Sequence, residues 1–296
     1  METVALGETG AVVSRLGFGG APAGLTNYLG AYTPEDSRQR RSVIEAIGRA
    51  VDLGVTYFDT APAYGDGASE AIFGDALHGL GAHVFVATKL TLPGTWDRIE
   101  EHVRASVEAS LKRLRRERLD LLQIHGDSYS DDVAEAVLAP GGLLSHMEAL
   151  RDAGLIRFLG FTTEDQNPAV YRFIRSGRFD VLQLCYNLIY QHPSEPTRPF
   201  GSMFEAEAHK MGIVTMRTVT SGIFQRWLQW VNPNNTFDYT PALLQFVLSN
   251  PLVDVALVGM RDTQLVEANV RIAEDLTGDI YPPGRIDIRA LHERYV

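Results

Sequence analysis

The sequence predicts an α/β chain closed into a (β/α)8 TIM barrel, with an amino-terminal hairpin and long loops at the carboxyl-terminal face of the sheet. Three observations lead there. Eight short apolar runs of strand length alternate with eight longer segments of helical periodicity, the signature of repeated βα units. The runs are nearly uninterrupted, as strands covered on both faces are. Eight alternations also suit a closed barrel of ~250 residues with decorations better than an open sheet.

The elements follow in order. VALGETGAVV reads as a hairpin. The strands are RLGFG (15–19), TYFD (56–59), VFVAT (84–88), LDLLQI (119–124), RFLGF (157–161), DVLQL (180–184), IVTMR (213–217) and VALVG (255–259). Helical patterns cover 40–53, 69–80, 97–116, 142–153, 168–176, 202–211, 241–249 and 262–275. Ser69 and Asp97 are expected to cap helices with their side chains, and Pro241 to sit in a first helical turn. Gly54, Gly154 and Gly212 each lie between a helix and the next strand, where a left-handed stop is expected. The longest loops, 19–38, 125–140, 186–201 and 219–240, all follow strands and so share the face on which barrel enzymes carry their sites.

Composition sets the bounds. The 296 residues suit one α/β barrel, and no composition break, low-complexity tract or close internal repeat divides them, so a single domain over 1–296 is expected. With 45% apolar and 22% charged residues, the chain can bury a sizeable core. A formal charge of -10 argues against nucleic acid as a general partner, although a local cluster of donors can still hold an anionic ligand. No stretch approaches ~18 uninterrupted apolar residues, and the amino terminus lacks a basic segment followed by a long apolar run. No membrane association and a cytoplasmic location are therefore expected. Cys185, the only cysteine, lies in the strand segment VLQLCY, which leaves no intrachain disulfide.

Four polar residues stand at or just beyond the ends of apolar runs. Asp59 closes VTYFD, Tyr64 follows in TAPAYG, Lys89 closes VFVATK, and His125 closes LDLLQIH. If the strands are neighbours, the four side chains converge on one pocket. A phenol with a pKa of ~10 is a weak acid at neutral pH, and a nearby ammonium makes its proton easier to release. Lys89 supplies that charge, and Asp59 supplies the carboxylate a partly desolvated lysine requires. His125 is placed to hydrogen-bond a substrate oxygen. The alternatives are a purely structural Lys89–Asp59 ion pair and a histidine satisfied in the core. Other barrel chemistries fit less well. The eight histidines include no HxH or HExxH pair, so a metal is not expected. No GxSxG elbow is present. GFGGAP (17–22) fails as a dinucleotide fingerprint because Pro22 replaces the third glycine.

From near the first residue to about 276, the chain resembles an aldo-keto reductase. The resemblance rests on GVTYFDTAPAYG, VATK, LDLLQIH, GLIRFLGF and VALVGMRDTQLVEAN in that order. Asp59, Tyr64, Lys89 and His125 fall on that family's catalytic tetrad. The resemblance implies NADPH-linked interconversion of a carbonyl and an alcohol on a small-molecule substrate, with the cofactor extended across the barrel mouth. It further implies cofactor contacts at Gly20, Asp59, Thr162, Thr163, Gln183, Met216, Arg217, Thr218, Ser221, Gly222, Gly259, Arg261 and Asn269. Gln183 would hold the carboxamide, unless its amide is satisfied inside the barrel. MRTVTSG (216–222) would form a phosphate-contact loop, unless it is an ordinary strand-to-loop transition.

Three departures from the family pattern narrow the inference. Thr162-Thr163 stand where many relatives have Ser-Asn, and their hydroxyls replace only part of the amide's hydrogen bonding. Met216 replaces a stacking aromatic ring, and Arg217 follows where serine is common. Near the last strand Arg261 is the main cation, while Leu265 occupies the position of a helix arginine. Pairing of Arg261 with a phosphate favours NADPH, with NADH also possible. Expected pocket walls are Leu25, Tyr28, Leu92, Trp96, Tyr129, Trp227 and Trp230. A second reading keeps the same barrel as a nicotinamide-binding regulatory or interaction protein with little turnover.

Overall fold

Apolar runs covered on both faces form parallel strands, and the computed structural model places all eight in one closed sheet. It describes residues 1–78, 84–195 and 200–275. The amino-terminal hairpin pairs β1 (Thr3–Ala5) with β2 (Val12–Ser14) in antiparallel register. The barrel strands are β3 (Leu16–Gly19), β4 (Tyr57–Asp59), β5 (Phe85–Thr91), β6 (Leu119–His125), β7 (Ile156–Thr163), β8 (Val181–Cys185), β9 (Gly212–Met216) and β10 (Val255–Gly259). Each pairs in parallel with its neighbour in sequence, and β10 closes on β3.

The helices are α1 (Ala21–Gly24), α2 (Ser37–Asp52), α3 (Ala68–His78), α4 (Ile99–Leu114), α5 (Asp131–Leu138), α6 (Leu143–Asp152), α7 (Pro168–Arg175), α8 (Ser202–Ala208), α9 (Ile223–Val231), α10 (Thr240–Leu248) and α11 (Thr263–Glu274). The eight expected helices correspond to α2, α3, α4, α6, α7, α8, α10 and α11. Residues 79 and 80 of the helix expected over 69–80 lie outside the described residues, as do 196–199 of one long loop and 276–296 of the expected single domain. The remaining three helices, α1, α5 and α9, lie in the long loops after β3, β6 and β9.

Successive residues of a strand point to opposite faces, so each strand feeds two cores. Phe58, Val86, Leu122, Leu182, Ile213 and Ala256 pack outward with the helices. Their neighbours Tyr57, Phe85, Leu121, Val181, Val214 and Val255 pack inside the barrel, joined there by Leu6, Ala11 and Val13 of the hairpin. The hairpin therefore plugs the amino-terminal end. Leu6 is fully buried, and burial of such a side chain contributes about 1.5–3 kcal/mol.

Several local expectations are corrected. Gly54 and Gly154 do take left-handed conformations, with φ of 84° and 80°. Gly212 does not; Lys210 supplies that turn at φ 64°. Gly212 is needed because a Cβ there would stand 2.7 Å from Leu6 Cγ, where the plug meets the strand. Pro241 occupies the first turn of α10 as expected. Ser69 lies within α3 rather than capping it, and its hydroxyl joins other elements. Arg98, not Asp97, is the residue before α4, and no side chain caps that helix.

Candidate active site

Two residues beyond an apolar inward position, a strand presents its next inward side chain at the barrel mouth. That step leads from Tyr57 to Asp59, from Ala87 to Lys89, from Leu121 to Gln123 and His125, from Val181 to Gln183, and from Val214 to Met216. The mouth is therefore polar where the base is apolar. Lys89 Nζ donates to both carboxylate oxygens of Asp59, each at 2.7 Å, and to the Thr60 carbonyl at 2.9 Å. It also lies 5.0 Å from the centroid of the Tyr64 ring. The His125 ring stands edge-on to Tyr64, with centroids 5.7 Å apart. Gln123 Nε2 donates to Asp59 at 3.3 Å and to Gln183 Oε1 at 3.0 Å. The four expected groups thus meet in one cluster, with Asp59 and Lys89 buried and Tyr64 and His125 half-buried.

A second polar layer holds this cluster from behind. The Ser69 hydroxyl donates to the Gly20 carbonyl at 2.9 Å and accepts from Thr60 Oγ1 at 2.8 Å. The fully buried Glu70 carboxylate accepts from Thr88 Oγ1 and from Arg113 Nε, both at 2.6 Å. Arg113 also packs on Gly67, where a Cβ would stand 2.5 Å from its Cδ. α3 is thereby stitched to the ends of β3, β4 and β5 and to the turn that carries Tyr64.

Electrostatics set the resting proton positions. Burial depresses the Lys89 ammonium, but Asp59 and Tyr64 together overcome that effect and hold its pKa above the ordinary value. Burial raises the Asp59 carboxyl, with the Lys89 charge pulling it back. Lys89 acts on Tyr64 in the expected direction, lowering its pKa, but burial acts against it. Burial pushes the phenol up by more than Lys89 pulls it down, so it rests as a protonated donor. Burial, reinforced by the Lys89 charge, pushes the His125 imidazole down to about 4, leaving it neutral at physiological pH.

A cavity of about 240 Å³ opens over the cluster. Asp59 and His125 reach it from β4 and β6, Tyr64 from the turn after β4, and Gln183 and Met216 from β8 and β9. Leu25, Tyr28, Arg217, Thr218, Ser221 and Gly259 line it as well. A sequence profile of the Aldo/keto reductase family matches residues 15–236. The chain belongs to the aldo/keto reductase family.

Individual relatives agree with that placement. The chain is 32% identical over 210 residues to the aldo-keto reductase YhdN of Bacillus subtilis, a stretch covering 68% of this chain and 58% of that protein. It is 27% identical over 304 residues to L-galactose dehydrogenase of Arabidopsis thaliana, covering 93% of this chain and 89% of that one. The match spans only 58% of the length of each of two curated Bacillus subtilis relatives. An aldo-keto reductase from Klebsiella pneumoniae, solved in complex with NADP and acetate, has the same fold with a TM-score of 0.71 at 21% identity. That likeness covers 99% of this chain and 94% of the other.

Several expected contacts stand off the cavity wall. Gly20 sits behind it, where a Cβ would meet the Asp59 carbonyl and the Ser69 hydroxyl at 2.7 Å. Thr162 Oγ1 both accepts from Gly126 N at 3.0 Å and donates to Gly126 O at 2.8 Å. Thr163 Oγ1 bonds the backbone of Asp127 and Asp165. Both threonines are thus spent on the adjoining loop. Tyr129 is buried with its hydroxyl on the Ile124 and Thr162 carbonyls and its ring against Phe161 and Phe173, so it packs the outer core rather than the pocket. Leu92 and Trp96 pack on that outer core, while Trp227 and Trp230 are exposed on α9. Gly222 precedes α9, Asn269 is buried on α11, and Leu265 is exposed there. Arg261 lies with its guanidinium 4.8 Å from the Tyr32 ring centroid.

Sequence reasoning missed Asp127 and Glu164, which line the cavity from the ends of β6 and β7. The available signal was their position, since HGD and TTED put a carboxylate directly beyond each strand. Pro22 and Leu29 were missed for want of the loop geometry, and Leu257 and Val258 line the cavity from β10 itself.

Proposed function

We propose that this chain interconverts a carbonyl and an alcohol with a nicotinamide cofactor, Tyr64 acting as general acid in reduction and general base in oxidation. The observation that carries the reading is the buried Lys89 held between both oxygens of Asp59, beside the Tyr64 ring at the cavity floor. A bound nicotinamide would supply hydride to the carbonyl carbon. Tyr64, protonated at rest, gives its proton to the carbonyl oxygen, and Lys89 stabilises the phenolate that remains. His125, neutral, donates a hydrogen bond that orients the same oxygen. Lys89 keeps its own proton throughout because Asp59 holds it.

The residues present fit such a cofactor. Arg261 Nη1 is buried and has no hydrogen-bond partner among the described residues, a donor suited to a phosphate. Backbone at Arg217, Thr220, Ser221 and Gly222 is left-handed, with φ between 50° and 71°, the tight turning that main-chain anion cradles use. Gln183 and Met216 would hold the nicotinamide, and Thr218, Ser221 and Gly259 would contact the remainder. We assign NADPH as the preferred cofactor through Arg261, with NADH as the weaker alternative.

A panel of aldehydes, ketones and sugars tests this, with nicotinamide absorbance followed for both cofactors. Carbonyl-dependent oxidation is expected, with NADPH favoured about tenfold, equivalent to ~1.4 kcal/mol. Arg261→Ala should erase that preference. Tight cofactor binding with no turnover across the panel would instead support the regulatory reading.

A further inference from the structure

The turn that carries Tyr64 does not hold its shape by local preference. Gly65, Asp66 and Gly67 are left-handed in succession, with φ of 70°, 50° and 86°, and such a run persists only where its surroundings over-determine it. Two neighbours do so from opposite sides. On one side Gly24 of α1 lies against the Tyr64 carbonyl and Gly65 against the Gly24 carbonyl, with no room for a Cβ at either glycine. On the other stands the Arg113 side chain of α4, whose Cδ and Nε would be 2.5 and 2.7 Å from a Cβ on Gly67.

Arg113 itself is held by Glu70. The buried carboxylate accepts from Arg113 Nε through one oxygen and from Thr88 Oγ1 through the other, both at 2.6 Å. Thr88 directly precedes Lys89 on β5, with its side chain on the opposite face of the strand. One charge pair therefore joins the strand that presents Lys89 to the turn that presents Tyr64. Asp75, in the same groove between α3 and α4, is matched by Arg40 and Arg115 and does not compete for Arg113. Neither Glu70 nor Arg113 lines the cavity. A buried ion pair adds little net stability over apolar residues of the same volume, which leaves position as what this one supplies.

Resting on the hydride-transfer reading above, we propose that Arg113 is a positioning residue for Tyr64: clamped by Glu70 on the outside of the barrel, it holds the left-handed turn so that the phenol stays beside Lys89 and in reach of the carbonyl oxygen. Without the clamp the turn relaxes toward ordinary backbone geometry and takes the proton donor out of line. Ligand binding is spared, because the pair does not touch the cavity. The effect falls on kcat.

Arg113→Ala is compared with the double variant Glu70→Gln/Arg113→Ala and with Leu6→Ala, which is destabilised at the far end of the barrel, at a temperature where circular dichroism shows each folded. The double variant leaves no buried charge unmatched, so it carries the test even where the single variant unfolds. With a carbonyl that the wild type reduces, kcat should fall about 10- to 100-fold in both Arg113 variants, the scale of an ångström-sized misplacement. KM for the carbonyl, and cofactor affinity by fluorescence titration, should stay within about threefold. Arg113 lines the groove between α3 and α4, so its truncation opens a path from solvent to Glu70. Free guanidinium at a sub-denaturing concentration should restore part of kcat in Arg113→Ala and none in the double variant, which has no carboxylate to hold it. A kcat within about twofold of wild type in either Arg113 variant, a loss carried by KM or cofactor affinity, an equal kcat loss in Leu6→Ala, or the same response of the single and double variants to guanidinium overturns the assignment and leaves the hydride-transfer reading intact. Absence of turnover by the wild type with any carbonyl overturns both.

Discussion

The two ends of the barrel interior are built from the same inward-facing positions and do opposite things. At the amino-terminal end Tyr57 and Phe85 stack at 5.2 Å, Phe85 and Phe158 at 6.1 Å, and Leu6 seals them from below. One pleat further on, the same strands present Asp59, Lys89, Gln123 and Gln183 to each other through hydrogen bonds. The base is stabilised by removing apolar surface from water, whereas the mouth must hold charges out of water, which is tolerable only because each is paired. Stability should therefore depend on shape at the base and on charge partners at the mouth. Catalysis should depend on the mouth alone.

Lys89→Met tests the mouth most severely. It leaves Asp59 buried without its counter-charge, so a stability loss of about 3–5 kcal/mol in denaturant unfolding is expected, with turnover abolished. Asp59→Asn in the same background should recover part of the stability and none of the turnover. Full stability in Lys89→Met alone would mean that the pair is more solvated than its burial implies.

Leu6→Ala tests the base. Loss of the plug side chain should cost about 2–5 kcal/mol through the cavity it leaves, with kcat/KM within twofold of wild type in the folded protein. A large kcat effect at unchanged stability would break the separation between the two ends.

The smallest expected effect is one of pH. His125 is pushed down to about 4 by burial and Lys89, so its lowered pKa contributes stability that is present above its unfolded value and lost as pH falls through about 4. Tyr64 is raised and stays protonated at neutral pH. The rate of carbonyl reduction should therefore be flat from about pH 5 to pH 9. An inflection at about pH 6–7 that His125→Gln removes would show that the imidazole titrates in the working range.

The same division explains what could be read from the sequence. All eight strands were legible because burial on both faces writes an uninterrupted apolar run, and Asp59, Lys89 and His125 were legible because a polar group ending such a run stands at the mouth. Tyr64 followed from its place in the turn after β4. Features that depend on contacts between distant loops were not legible. Thr162 and Thr163 face the loop backbone at Gly126 and Asp127, and Tyr129 turns into the aromatic cluster with Phe161 and Phe173, choices that strand periodicity does not encode. The sign of the Tyr64 shift was also beyond reach, because it rests on how deeply the ring is buried. Gly212 looked like a helix stop and is instead the seat of Leu6, a contact made by the distant hairpin.

Tyr64→Phe is the most direct test of the proposed chemistry, because it removes one oxygen and leaves the ring against His125 and Lys89. Carbonyl reduction should fall about 10²–10⁴-fold in kcat/KM, while cofactor affinity stays within threefold and the unfolding midpoint is nearly unchanged. Turnover within tenfold of wild type, with cofactor still bound, would contradict the assignment of Tyr64 as proton donor.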